Sequence, residues 1–159
     1  MCLYRAGRQH GALVEARARL RRLGAGDEKH PWATLVLAHA TLEQDEPQAI
    51  RLYEAAAEGF VRSKEAEGEV VARQNLRNAY HRRGAFDVAG RQVERALAVA
   101  EASKKPLTVA RASVLQASHL IETGGDLGRA HRALLRAQRA AFPDGPIGLR
   151  RAILFKQPR

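Results

Sequence analysis

Six histidines, His10, His30, His39, His81, His119 and His131, are the side chains of this sequence best suited to holding a metal or moving a proton. Two imidazoles reach one ion from a single helical face when they are spaced His-x-x-x-His, and no pair here has that spacing. His119 and Glu122, three apart, set an imidazole and a carboxylate on the same side of a helix, and at that spacing a surface contact is the ordinary outcome. Cys2 is the only cysteine, so neither an intrachain disulfide nor a thiolate-rich metal site can form. Gly124-Gly125-Asp126 lacks the Lys-Ser/Thr that a phosphate-cradling loop requires. Without a nucleophile, base and orienting group in a common frame, the sequence points away from an enzyme, and no cofactor or metal is expected.

The elements that would position these residues are helices. Hydrophobic residues make up 45% of the 159 residues, enough for a core, and Ala, Leu and Arg, all good helix formers, dominate. Val and Ile never alternate over a strand length, and Gly and Pro fall mostly between the helical stretches. These features predict an all-α chain. No stretch approaches the roughly 20 apolar residues of a membrane span, and the start lacks a signal-peptide pattern. A cytoplasmic protein without a membrane partner is the expectation.

A repeat organises the helices. In Ala72 to Ala100, small or apolar residues stand at Leu76, Tyr80, Gly84, Ala89, Val93 and Ala96. About 41 residues later the series reads Ala117, Ile121, Gly125, Ala130, Leu134 and Ala137. About 40 residues earlier it reads Val36, Ala40, Gln44, Ala49, Tyr53 and Ala56, with Gln44 replacing the glycine. Leu3, Gly7, Ala12 and Ala16 fit the closing half of a further unit. Each unit reads as two amphipathic helices joined by a tight turn. Gly84 and Gly125 are expected to supply the left-handed position of that turn, with Phe86 and Leu127 anchoring it in the core. Ala89 and Ala130 allow two helix backbones to approach closely, and Leu76, Val93 and Leu134 fill the space between neighbours. A single hairpin cannot bury its apolar face, so the units must stack into an α-solenoid of antiparallel hairpins.

The run NLRNAYHRRGAFDVAGRQVERALAVA, with Leu76, Tyr80, Gly84, Ala89, Val93 and Ala96 in the motif positions, resembles a tetratricopeptide repeat. It looks like the longer-period repeats of kinesin light chains and bacterial signalling regulators. The match extends to the unit around Gly125, thins around Ala49, and lacks the family's terminal proline after Ala96. The expected organisation is a repeat array over residues 1–142, with a half-repeat at 1–24 and repeats near 31–63, 65–103 and 106–142. A tail or short capping helix is expected at 143–159, beyond the break Phe142-Pro143-Asp144-Gly145-Pro146. Helices are predicted near 2–7, 9–24, 31–44, 47–63, 65–84, 86–103, 106–124 and 126–142, with Pro31, Pro47 and Pro106 in first turns. The array starts in mid-repeat and closes without a polar cap, as expected of one module of a longer protein.

What the resemblance implies for function is a concave groove lined by the first helix of each repeat, holding an extended peptide or a partner's helix. The groove positions would be Gln74, Asn75, Asn78, His81 and Arg82, then Leu115, Gln116, His119 and Glu122. Asn75, just before the motif leucine, resembles the asparagine with which kinesin-light-chain-type repeats hold a peptide backbone. A side-chain amide donates and accepts together, which suits that task. The carboxylate clamp of chaperone-binding repeats is not expected, because only Asn78 and Arg82 match it.

Charge is unevenly spread within the formal total of +10. Residues 27–71 carry four basic and ten acidic side chains, whereas residues 72–159 carry seventeen basic and six acidic ones. Arg17, Arg19, Arg21 and Arg22, and Arg129, Arg132, Arg136 and Arg139, decorate second helices, the latter four on a single face. The principal expectation is a non-catalytic scaffold binding a protein or peptide, part of a bacterial regulatory or signalling protein. The alternatives are a nucleic-acid-associated module using Arg129, Arg132, Arg136 and Arg139, and self-association through stacking ends. Aromatics are only 5% of the chain, and Tyr53, Tyr80 and Phe86 fall at repeat positions where packing accounts for them, so a base-stacking platform is not evident.

Overall fold

The computed structural model describes residues 30–142. Six helices follow one another: α1 (Pro31–Thr41), α2 (Glu46–Ser63), α3 (Ala66–Arg82), α4 (Phe86–Ser103), α5 (Pro106–Glu122) and α6 (Leu127–Ala141). Among the described residues there is no strand, and no helix is long and apolar enough to cross a membrane. The helices expected at 2–7 and 9–24, Cys2, His10, Arg17, Arg19, Arg21, Arg22 and the tail at 143–159 lie outside the described residues.

The helix starts follow local chemistry. Pro31, Pro47 and Pro106 occupy the first turns of α1, α2 and α5, where a missing N–H costs nothing. Asp45 caps α2 by accepting the Gln48 N–H at 2.9 Å, and Asp126 caps α6 by accepting the Arg129 N–H at 3.0 Å. That Arg129 N–H is also the first reason the Asp126 carboxyl titrates below its usual range.

The helices recur with a fixed step. α2 and α4 each have 18 residues, and α3 and α5 each have 17. Phe86 opens α4 as far beyond Glu46, the start of α2, as Pro106 opens α5 beyond Ala66, the start of α3. The corners repeat as well. Ser63 Oγ donates to the Phe60 carbonyl at 3.3 Å and Ser103 Oγ to the Ala100 carbonyl at 2.8 Å. Lys64 and Lys104 then take left-handed conformations, with φ of 55° and 54°. A side chain in that region is strained by about 1–2 kcal/mol, and glycine relieves it at some cost in unfolded-state entropy. Lys104→Gly is therefore expected to raise stability by about 0.5–1 kcal/mol, read as a higher denaturant midpoint. A lowered midpoint would mean that this corner is not left-handed in solution.

Three expectations about the turns need correction. The left-handed glycine of the last turn is Gly124 (φ 67°), the counterpart of Gly84 (φ 71°), and not Gly125. The step from α3 to α5 thus holds through Gly124, and a single extra residue enters the turn after it. In consequence Leu127 opens α6 one position later than the step from α2 to α4 would place it. Between α1 and α2, where Gln44 stands, no residue is left-handed. The Gln44 and Asp45 N–H groups both donate to the Thr41 carbonyl instead, and α1 ends at Thr41 rather than near residue 44. Phe86 and Leu127, expected in the core, are 47% and 57% exposed. They are the first residues of their helices, and side chains there tilt back toward the turn, away from the helix–helix seam.

The described residues divide into two compact units, one up to Ala72 and the other from Arg73, with the boundary inside α3. In the first unit α1 packs on α2. Phe60 is fully buried, its ring 4.8 Å from that of Trp32 and steeply inclined to it. Trp32 Nε1 donates to Glu65 at 2.8 Å. The Phe60 ring lies so close to Gly68 that a Cβ there would come within 2.3 Å of it, which is why glycine stands in the first turns of α3. Tyr53 is buried with its hydroxyl 3.2 Å from His39 Nδ1.

In the second unit α4 packs on α5 and α5 on α6. Its core is largely alanine: Ala110, Ala137 and Ala141 in one cluster, and Ala117, Ala130 and Ala133 around Leu134 in another. Small side chains of this kind let helices approach closely. Ala89, Leu76 and Val93 are buried as expected.

Candidate functional site

On α3, Ala72, Leu76 and Ala79 point into the core, and the intervening residues are polar. Arg77 is the exception that organises the site. Its side chain is only 5% exposed, and Nη2 donates to Glu122 Oε2 of α5 at 2.6 Å. Nη1 donates to Asn78 Oδ1 at 3.0 Å. A guanidinium so far from water requires a counter-charge, and Glu122, the last residue of α5, supplies it. One turn along α3, His81 Nε2 stands 3.6 Å from the same carboxylate oxygen. The His81 ring also meets Phe86 edge-on, with centroids 5.0 Å apart. Arg73 extends the polar face by donating to Gln92 of α4 at 3.3 Å.

His119 completes the cluster from α5. It lies against α4 at Gly90, where a Cβ would be 3.1 Å from His119 Nε2. Burial is the largest influence on its titration and holds its pKa below the ordinary 6.5; the positive charges of Arg77 and His81 act in the same direction. Glu122 and Glu94 oppose this and are outweighed. The ring is therefore neutral at pH 7.

Of the residues expected in the groove, Asn78, His81, His119 and Glu122 come together around Arg77. Gln74, Asn75 and Gln116 are half-buried and Arg82 is exposed. Asn75 and Arg82 are engaged in interactions of their own. Leu115 does not face outward as expected: it is buried in the core of α5. The repeat pattern does not point to Arg77. The signal available for it was Glu122, the one acid between residues 102 and 125, which calls for a basic partner.

The expected basic face of α6 is present in part. Arg129, Arg132 and Arg139 are exposed, as are His131 and Gln138. Arg136 is half-buried and donates to Glu101 of α4 at 2.9 Å, and Arg132 lies 3.9 Å from the Asp126 carboxylate. Among the described residues no group of three His, Cys, Asp or Glu side chains could hold a metal ion.

The α3–α5 face thus offers a fixed set of donors and acceptors: an exposed amide tied to a buried guanidinium, a half-exposed carboxylate and two imidazoles. Such a face can hydrogen-bond to a partner's backbone or polar side chains. No protein family model matches the chain, nor does any curated protein or solved structure.

Proposed function

We propose that the chain is a helical-repeat module, an α-solenoid of hairpins of the tetratricopeptide kind, which binds a protein or peptide through the polar face of α3 and α5. The reading rests above all on the recurrence of α2 with α4 and of α3 with α5 at one common step. Repetition with the same corners and turns is the mark of units that stack, and the first helices of stacked units present one continuous surface to a partner. Asn75, Asn78, His81, Gln74, Arg82, Gln116 and His119 all belong to that pair of helices. A place within a bacterial regulatory or signalling protein is what the resemblance of the repeat suggests.

The nucleic-acid reading has weaker support, because Arg136 and Arg132 are already engaged by Glu101 and Asp126. Self-stacking on α6 is also disfavoured. Val88 and Leu97 of α4 are half-buried, whereas their counterparts in α6, Arg129 and Gln138, are exposed polar residues. Exposed polar side chains of this kind resist burial against a second copy.

The test is Asn75→Ala combined with Asn78→Ala. Capture of a partner from extracts of the source organism should fall about tenfold or more, the scale of losing one or two buried hydrogen bonds. Helicity should be retained, while the melting temperature falls modestly, because Asn78 no longer accepts from the buried Arg77 guanidinium. Full capture by a folded double variant would contradict the proposal.

A further inference from the structure

One carboxylate, Glu122, is shared by Arg77 and His81, and a third basic group, His119, lies within its electrostatic reach. We propose that Arg77, His81, Glu122 and His119 form a proton-operated latch joining the C-terminal ends of α3 and α5, closed while the His119 ring is neutral and released when it takes up a proton. The inference does not depend on the α3–α5 face binding a partner.

Glu122 Oε2 is already committed, at 2.6 Å to Arg77 and 3.6 Å to His81. His119 is confined, because its Nε2 edge lies against α4 at Gly90, where even a methyl group would crowd it. Its Nδ1 is buried without a hydrogen-bond partner among the described residues. A neutral imidazole tolerates this, since one of its nitrogens is merely an unused acceptor or weak donor. An imidazolium does not, because it carries two N–H donors and a full charge, and a buried unpaired charge is strongly disfavoured.

The charged and titratable groups facing His119 are Arg77 and His81 from α3, Glu94 from α4 and Glu122 from its own helix. A proton on His119 can be accommodated in two ways. Either Glu122 turns from Arg77 toward His119, or the ring leaves its place over Gly90. The first strips a buried guanidinium of its counter-ion, and the second opens the α4–α5 seam. The first frees the end of α3 from α5, and both loosen the packing around the C-terminal end of α5.

The direction of the pH effect follows. The folded chain holds His119 below 6.5, so it binds fewer protons than the unfolded chain just under that value. The contribution of the neutral ring is complete above pH 6.5 and is lost as the pH falls below it.

The experiment uses the full chain and the His119→Gln variant between pH 7.5 and 5.0, three readouts being followed. The wild-type melting temperature should drop on acidification by more than twice the drop in the variant. Amide exchange, corrected for its intrinsic pH dependence, should accelerate about tenfold near residues 79–84 and 119–125 of the wild type, and not in the variant. The His119 ring should titrate, by proton NMR, with a midpoint below 6.5. Equal acid sensitivity in the two proteins, or a ring midpoint at or above 6.5, would overturn the proposal. Should the variant fail to fold, the ring titration and the wild-type exchange profile decide the matter alone.

Discussion

Glu122→Leu is expected to destabilise the second unit by about 3 kcal/mol, the cost of leaving a buried charge without its partner. The loss falls on Arg77, whose side chain is 5% exposed and whose one acidic partner among the described residues is Glu122. The converse change should be milder. In Arg77→Met the Glu122 carboxylate, 38% exposed, returns to water, and the methionine replaces part of the buried stem, so about 1–2 kcal/mol is expected. Combining the two substitutions puts an apolar pair where the ion pair stood and should recover most of the Glu122→Leu loss. Denaturant unfolding of the four proteins measures the coupling directly. Strict additivity, or a loss under about 0.5 kcal/mol in Glu122→Leu, would reduce the contact to an ordinary surface ion pair.

Phe60→Ala is expected to cost about 3–5 kcal/mol, the range for removing a fully buried phenylalanine. Phe60 has no exposure, meets the Trp32 ring at 4.8 Å and presses on Gly68, so little can collapse into the space it leaves. Phe86→Ala provides the contrast. That ring is 47% exposed and touches His81 at its edge, and its removal should cost about 1 kcal/mol or less. Equal losses in the two variants would contradict the packing described for α2.

The comparison of these two phenylalanines shows what sequence could and could not reveal. Helix class was legible because Ala, Leu and Arg recur with helical spacing and Pro31, Pro47 and Pro106 mark first turns. The buried positions Leu76, Ala89, Val93, Ala130 and Leu134 were legible because each recurs at a fixed place in the repeat. Phe86 and Leu127 recur just as regularly, yet spacing does not say on which side of a helix start a side chain leans. The difference between Gly124 and Gly125 is of the same kind. A slip of one residue turns a helix face by about 100°.

The site was legible in its members and not in its centre. Asn78, His81, His119 and Glu122 are polar residues at the expected groove positions of α3 and α5, and they lie together around Arg77. Arg77 escaped notice because arginine is rarely buried, and because its partner lies 45 residues away in the chain. The Lys64 and Lys104 corners escaped it for a related reason. Lysine gives no hint of a left-handed backbone, and only the equal spacing of Ser63-Lys64 and Ser103-Lys104 could have signalled it.

The measurement that bears most directly on the binding face compares three proteins in one capture experiment: the native chain, Asn75→Ala with Asn78→Ala, and Arg129→Ala with Arg139→Ala. Capture by the first double variant should drop about tenfold or more, while the α6 variant captures the same partner as the native chain. Loss of capture in the α6 variant, with full capture in the asparagine variant, would contradict an α3–α5 binding face and move the interaction to the outer surface of α6.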